Sequence, residues 1–330
     1  MRTLSFKYLS AVCLLFMAGC SALIGVDDKQ CNTNSECVSA KLGDRCVQHV
    51  CVESQANNKP DAGDETPFDG TCETDKQCGA SEETPRCMNG ACVTAELADR
   101  WMCEQTEVPM DSGTVKYSFH VVDFLTQMAP KSLTVLACRN NDVTCSSPTG
   151  TFSDTEATGL VEFDLPKGFL GFFDVQAEGV DKDGDKVTYV PALSYLTKPV
   201  VEDMLDRPLQ IPTPDLVTAL ALVEGVQFEP ATKGLAMVEA FDCSGAPAGG
   251  VRFTEGKGGA TPFYLVNHVP NKNANASVYD PVNKVADGGF LNVTPGFVEF
   301  SAYWGLDGPM IGSFNAHVRA GTITYLDMYF

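Results

Sequence analysis

Residues 159–165 read GLVEFDL, and apolar and polar side chains alternate along this stretch. Successive side chains of a β-strand point to opposite faces of its sheet, so the pattern predicts a strand with one buried face. Short runs rich in β-branched and aromatic residues recur from Trp101 to the end of the chain, separated by clusters of Gly, Pro, Asn and Asp. Regularly spaced short strands of this kind predict antiparallel β-sandwiches, so the fold class is mainly β.

The region around this strand has a counterpart later in the chain. Residues 156–166 (EATGLVEFDLP) match residues 286–295 (ADGGFLNVTP), and a Gly-Phe pair follows each segment. Upstream of them, residues 127–135 (QMAPKSLTV) match residues 245–253 (GAPAGGVRF). In such turns Gly supplies a positive φ, Pro presets its own φ, and an Asp side chain closes the turn. The match predicts two tandem copies of one strand order.

That order is strand, small-Pro-small turn, strand, variable loop, acidic-Gly turn, strand, Pro-Gly-Phe, strand. It resembles the carboxypeptidase regulatory-like, transthyretin-like family, whose fold is a seven-stranded Greek-key sandwich. The resemblance implies two tandem Greek-key β-sandwiches, at residues 101–212 and 213–330, and an accessory or structural role rather than catalysis. Between the copies, residues 213–224 have a pattern that predicts a short bridging helix.

Two short cysteine-rich segments precede the sandwiches. Residues 31–52 read CNTNSECVSAKLGDRCVQHVCV, and residues 72–93 read CETDKQCGASEETPRCMNGACV. Both have the spacing C-x5-C-x8-C-x4-C, which indicates a tandem duplication. A module of this size buries too little apolar surface to fold without cross-links or metal.

Each module's four cysteines allow three disulfide pairings, among which the sequence does not decide. The preferred pairing joins the first cysteine of each module to the third and the second cysteine to the fourth. The alternative is a structural zinc site in each module, but such sites usually contain more closely spaced cysteine pairs. The modules resemble the Dickkopf-like cysteine-rich repeats of exported proteins from myxobacteria and related deltaproteobacteria, which implies a spacer or interaction role. The preferred bonds are Cys31–Cys46, Cys37–Cys51, Cys72–Cys87 and Cys78–Cys92.

The modules are expected to form an extended stalk. Residues 53–71 between them are rich in carboxylates and lack an apolar period, which predicts a solvated linker. Four more cysteines follow in the sandwich region. Cys138 and Cys145 flank a short polar loop, which favours a local disulfide. Cys103 and Cys243 are then left either to pair across the domain junction or to remain as buried thiols.

The N-terminus has the features of an export signal. Arg2 and Lys7 precede a short apolar run that ends in Met17-Ala18-Gly19-Cys20. These last residues resemble a bacterial lipobox, which implies cleavage before Cys20 and acyl chains on that cysteine. Residues 1–19 would then be a lipoprotein signal peptide and residues 20–30 a tether. The alternative is an ordinary secretory signal that is cut near Ala22.

This resemblance also implies a location. Ser21 follows the lipidated cysteine in place of the Asp that commonly retains lipoproteins in the inner membrane, which favours the outer membrane. The chain has 23 Lys and Arg residues against 43 Asp and Glu, a formal charge of −20. Such an acidic surface argues against a nucleic-acid partner and against membrane contact beyond the lipid.

No catalytic or metal motif emerges from the sequence. The histidines (His49, His120, His268 and His317) lack metal-binding spacing, and there is no G-x-S-x-G motif, P-loop or dinucleotide fingerprint. Neither an enzymatic activity nor a cofactor is therefore predicted.

Two weaker candidates for a binding site remain. Asp181, Asp183 and Asp185 have the alternate spacing of a calcium loop, although a solvated acidic turn explains them better. Trp304, next to Tyr303, is either a sugar-stacking residue or part of the core. The predicted function is a non-enzymatic, surface-exposed outer-membrane lipoprotein with an interaction, adhesion or structural role and an unidentified protein or glycan partner. The alternative is a carbohydrate- or calcium-dependent binding module.

Overall fold

The computed structural model describes most of the chain from residue 113 onward and parts of the cysteine modules before it. Strands 45–47 and 50–52 and residue 180 are described by their backbone alone. No helix among the described residues is long and apolar enough to cross a membrane. The described residues are 45–47, 50–52, 72–78, 86–103, 113–154, 157–180, 186–205, 207–266, 268–281 and 284–329.

The described chain is mainly β, which confirms the predicted fold class. The cysteine modules contribute β1 (Arg45–Val47), β2 (Val50–Val52), a 3-10 helix (Asp75–Cys78), β3 (Arg86–Met88), β4 (Ala91–Val93) and α1 (Ala95–Trp101). The next strands are β5 (Thr114–Asp123), β6 (Ser132–Arg139), β7 (Gly150–Asp154), β8 (Leu160–Pro166), β9 (Gly171–Val180), β10 (Lys186–Thr188), β11 (Ala192–Leu196), β12 (Met204–Leu205) and β13 (Leu209–Ile211). The last part contains α2 (Pro214–Glu224), β14 (Gly234–Phe241), β15 (Val251–Glu255), β16 (Thr261–Val266), β17 (Val269–Pro270), β18 (Gly288–Val293), β19 (Gly296–Trp304), β20 (Met310–Val318) and β21 (Ile323–Tyr329).

One ten-stranded sheet runs through both halves of the sandwich region. Its order is β17-β16-β18-β14-β21-β11-β9-β6-β7, and β10 pairs with β9. The halves join where β11 pairs in parallel with β21, with Ala192 opposite Ile323 and Leu196 opposite Asp327. The sequence predicted two sandwiches in tandem but did not indicate that they share a sheet.

Two smaller sheets cover opposite faces of this long sheet. The first is formed by β12, β13, β5 and β8, and the second has the order β15-β19-β20. Adjacent residues of β9 show the arrangement, because Phe173 packs beneath the first small sheet and Phe172 belongs to the core beneath the second. Side chains alternate across a strand, so neighbouring residues fill different cores.

The acidic-Gly turn predicted before β8 has a defined geometry. Asp154 is buried, and its Oδ2 accepts hydrogen bonds from the backbone N–H groups of Thr158 and Gly159 and from the Thr158 hydroxyl. Gly159 has φ +66°, and a Cβ there would lie 2.6 Å from the carbonyl oxygen of Val121. Glycine is required at this position for both reasons.

The predicted bridging helix is present as α2. Thr213 caps its N-terminus through a hydrogen bond from Leu216 N–H, Pro214 opens the first turn, and Gly225 ends it in the left-handed conformation. Val217 and Ala221 of the helix pack over Leu235, Ile323 and other apolar residues of the long sheet. The helix therefore covers a stretch of the sheet that the first small sheet does not.

Disulfide bonds join all eight cysteines whose side chains the structure describes. In the second module the bonds are Cys72–Cys87 and Cys78–Cys92, which is the preferred pairing. The sulfur atoms of Cys72, Cys78 and Cys87 lie within 4.8 Å of one another, but both disulfides use them, so no thiolate is left here for zinc. The other two bonds are Cys138–Cys145 and Cys103–Cys243, and the second pair are therefore not buried thiols.

The first module shares the hairpin geometry of the second. Arg45 lies opposite Val52 and Cys46 opposite Cys51, and the same register pairs Arg86 with Val93 and Cys87 with Cys92. The backbone thus reflects the sequence duplication. The preferred Cys31–Cys46 and Cys37–Cys51 bonds involve residues outside the described part of the chain and stay predictions.

The second module is packed against the sandwich, so the expectation of a fully extended stalk is wrong for this part of the chain. Met88 and Val93 belong to the same buried core as the second small sheet, and α1 adds Trp101, which is 1% exposed. The Trp101 ring lies 5.5 Å from the ring of Trp304. Asn89 Nδ2 also donates a hydrogen bond of 2.9 Å to the carbonyl oxygen of Met310. Apolar burial explains the docking, which the linker-like composition before residue 72 did not reveal.

Candidate functional site

A cluster of charged side chains lies where the two halves of the long sheet meet. Glu239 on β14 and Asp327 on β21 are opposite one another in the parallel register. The Nη2 atom of Arg207, from the loop between β12 and β13, lies 2.7 Å from Glu239 Oε2 and 3.0 Å from Asp327 Oδ2. One guanidinium thus holds together two carboxylates that would otherwise repel each other, and it joins the first small sheet to the second half of the chain.

Aromatic rings extend the contact beyond Arg207. Its guanidinium lies over the ring of Phe241 at 4.4 Å, and Phe241 stacks on Tyr329 with 4.6 Å between centroids. Lys198 Nζ lies 3.9 Å from the centre of the Tyr329 ring. Both cations come from the first half and both rings from the second. The stack therefore combines cation–π and aromatic contacts across the junction.

The cluster contains more acidic than basic groups. Glu239 is 4% exposed, and its Oε1 accepts a hydrogen bond of 2.6 Å from Ala286 N–H. Burial, together with the charge of nearby Asp287, raises the pKa of Glu239 to about 8, although Arg207 opposes the change. Burial also raises the pKa of Asp287 to about 6, although the charges of His268 and Arg207 lower it. The arrangement is an ion-pair clamp in which burial makes the charged form of Glu239 more costly than it is in water.

No sequence pattern predicts this cluster. Arg207 is one cation among many, and its partners lie 32 and 120 residues further along the chain. One local signal was present, because Glu239 is the only charged residue in the strand sequence GLAMVEAF. A single acid within an apolar strand indicates a buried charge that needs a partner.

We expect Glu239→Gln to flatten the dependence of stability on pH. The folded-state pKa of Glu239 is raised above its ordinary value of 4.5, so its contribution is fully present below pH 4.5 and is lost as pH rises through about 8. Wild-type protein should therefore lose on the order of a few kcal/mol from this group over that window, and the variant should not. Urea denaturation across a pH series measures the difference. Glu162→Gln, at an exposed carboxylate of β8 outside the cluster, is the control, and parallel pH curves for wild type and Glu239→Gln would contradict the assignment.

A small cavity adjoins the clamp. Its volume is about 40 Å³, and Tyr117, Lys198, Met204, Asp327 and Tyr329 are among its lining residues. A cavity of this size holds a few water molecules. It does not accommodate a sugar ring.

The structure decides between the two interpretations of Trp304. Trp304 is 7% exposed and packs between Trp101 and the guanidinium of Arg100, whose centre lies 4.5 Å from the Trp304 ring. Its ring faces are therefore not available to a sugar, and the core interpretation is the correct one. The neighbouring Tyr303 is partly exposed and lies beneath the guanidinium of Arg252 at 4.5 Å.

Other predicted site residues lie outside the described part of the chain. These are the lipidation candidate Cys20, the calcium candidates Asp181, Asp183 and Asp185, and Cys31 and Cys37 of the first module. The three described histidines occur in separate elements: His120 in β5, His268 before β17 and His317 in β20. The structure therefore does not assemble them into one site.

No protein-family model and no curated protein sequence matches this chain. Among solved structures, the TIE protein of Bacillus anthracis matches 65% of this chain with 8% identity and a TM-score of 0.18, and this chain spans only 33% of it. The shaft pilin SpaA of Lactobacillus rhamnosus GG matches 66% of this chain and 97% of its own, with 10% identity and a TM-score of 0.20. A streptococcal ancillary pilin matches 66% of this chain and 62% of its own, with 12% identity and a TM-score of 0.17. TM-scores of this size are too low to assign the chain to any of these groups.

Proposed function

We propose that this chain is an exported lipoprotein, held in the outer membrane by acyl chains on Cys20, that has a non-enzymatic interaction, adhesion or structural role at the cell surface. The observation that supports this most directly is the pairing of all eight described cysteine side chains in disulfides. Disulfides persist in oxidising compartments outside the cytoplasm. The resemblance of Met17-Ala18-Gly19-Cys20 to a lipobox supplies the means of attachment.

The tertiary structure fits a protein that is displayed as one stiff unit. A continuous sheet links the two halves, and the Arg207 clamp and the Cys103–Cys243 disulfide tie segments that are far apart in sequence. The docked second module adds its apolar residues to the core of the second half.

Cleavage and lipidation at Cys20 are tested in a bacterial host that has lipoprotein processing. Mass spectrometry of the mature N-terminus should show a diacylglyceryl-modified Cys20, and Cys20→Ala should move the protein from the membrane fraction to the soluble envelope fraction. Cys13→Ala, within the signal, is the control and should leave the protein in the membrane. An unmodified N-terminus near Ala22, together with membrane release of the wild type, would instead support the ordinary secretory signal.

A surface location is tested separately from the lipid. Protease added to intact cells should digest the wild-type protein if it faces outward, whereas an inward-facing lipoprotein would be digested only after the outer membrane is permeabilised. The second result would contradict surface exposure and leave the lipid anchor in place.

A further inference from the structure

The second small sheet has one closed edge and one open edge. Its strands have the order β15-β19-β20, so β15 and β20 are the edges. On β15, Val251 N–H donates to the Ser277 hydroxyl at 3.1 Å, and Ser277 N–H donates to the Val251 carbonyl at 2.8 Å. Phe253 N–H donates to the Tyr264 hydroxyl at 3.0 Å. These bonds occupy three of the outward backbone groups of β15, so a further strand cannot form a regular ladder there.

The ends of β20 are also occupied. The Met310 carbonyl accepts from Asn89 Nδ2 at 2.9 Å. His317 N–H donates to the Tyr195 hydroxyl at 3.1 Å, and the same hydroxyl donates to the His317 carbonyl at 3.3 Å. His317 therefore directs its backbone groups away from β19. Backbone direction alternates along a strand, so Ser313 and Asn315 direct theirs the same way.

No described residue pairs with the middle of this edge. Ser313 and Asn315 are both exposed, and no hydrogen bond from another described residue reaches their backbone groups. Unpaired N–H and C=O groups on an edge strand are a template for the addition of another strand. Two further features determine which strand fits.

The first feature is charge. No Asp, Glu, Lys or Arg occurs between Met310 and Ala316, although the chain carries a formal charge of −20. Edge strands are commonly protected by charges, by Pro or by being very short. Two other edge strands of the described chain follow that rule, because β8 contains Glu162 and Asp164 and β17 has two residues, one of them Pro270. The open part of β20 lacks this protection.

The second feature is self-complementarity. We propose that β20 pairs with β20 of a second copy of this chain, antiparallel about a twofold axis at Phe314. In this register Ser313 lies opposite Asn315 of the second copy, and each pair exchanges two backbone hydrogen bonds. The two three-stranded sheets become one six-stranded sheet, and both open edges are closed by the same contact. An uncharged strand on each copy lets two acidic chains approach at this point without direct charge repulsion.

The register makes the proposal testable by charge reversal. The experiment uses the full-length chain with Cys20→Ala, so that a lipid does not bring copies together and the result does not depend on the proposed membrane anchor. Sedimentation equilibrium measures the dimer dissociation constant of the parent and three variants: S313K/N315K, S313K/N315E and, as a control on the exposed face of β7, T151K/S153K. Circular dichroism confirms that each variant is folded.

The parent should be dimeric. S313K/N315K places like charges opposite each other and should raise the dissociation constant at least about tenfold, since 1.4 kcal/mol is one factor of ten. S313K/N315E places the introduced lysine of each copy opposite the introduced glutamate of the other and should restore dimerisation to within about threefold of the parent. T151K/S153K adds the same charge elsewhere and should have no effect.

Three results would overturn the proposal. One is a parent that stays monomeric at every concentration. Another is equally tight dimerisation of S313K/N315K and S313K/N315E. The third is hydrogen-exchange protection of the Ser313 and Asn315 amides in the monomer, which would show that another part of the same chain covers this edge.

Discussion

Replacement of Trp101 by alanine is expected to lower the free energy of unfolding by about 3–5 kcal/mol, the usual cost of truncating a fully buried aromatic side chain. Trp101 is 1% exposed and contacts Trp304 at 5.5 Å between ring centroids. The substitution removes the largest side chain through which the second cysteine module and α1 contribute to the core. Urea denaturation of the oxidised protein measures the loss, and hydrogen exchange at the amides of Met88 and Val93 reports whether the module separates from the sandwich.

The next residue provides a matched control. Met102 is 46% exposed, so Met102→Ala should change the free energy of unfolding by no more than about 0.5 kcal/mol. Both substitutions are at the C-terminal end of α1 and leave the disulfides unchanged. A small and equal effect of the two would mean that the module is not docked in solution and that the original expectation of an extended stalk was correct.

Removal of the Cys103–Cys243 disulfide by Cys103→Ala/Cys243→Ala is the second substitution with a large expected effect. The two cysteines are 140 residues apart in sequence. A cross-link that closes a loop of this length restricts the unfolded chain strongly, and its loss should destabilise the protein by about 3–5 kcal/mol. Chemical denaturation without reductant measures the difference, because the other disulfides then stay intact.

The comparison variant is Cys138→Ala/Cys145→Ala, which opens a loop of 7 residues. Loop entropy gives this bond about 2 kcal/mol, against about 5 kcal/mol for the long loop. Cys138 is fully buried, so its replacement also removes packing contacts. The measured loss of stability for this variant should therefore exceed the loop-entropy value. A loss below about 2 kcal/mol for the long-range pair would mean that restriction of the unfolded chain is not the source of its stability.

Much of the local structure followed from sequence pattern because its causes are local. The alternation in residues 159–165 is reproduced in β8, where the buried residues are Val161, Phe163 and Leu165. The short helix predicted at residues 213–224 is present as α2, which spans Pro214–Glu224. The preferred disulfide pairing of the second module occurs in the structure, although the spacing alone allowed three pairings.

The candidate site was less accessible to sequence analysis because its members are distant. Trp304 was open to either a sugar-binding or a core interpretation, and only its contacts with Trp101 and Arg100 distinguish them. The Arg207 clamp depends on which strands β14 and β21 pair with, and pairing is not encoded in any short stretch. The open edge of β20 likewise depends on what lies beside that strand.

By itself, the sequence determined the mainly β class, the duplicated cysteine spacing and the acidic charge, because periodicity, spacing and composition act over a few residues or as sums over the chain. Tertiary structure alone decided that the two sandwiches share a sheet through β11 and β21, that the second module docks on Trp304, and that Glu239 is buried beside Arg207. The physical reason is that burial and strand pairing are properties of residues brought together from distant parts of the chain. A strand pattern shows which face will be buried but not what will cover it.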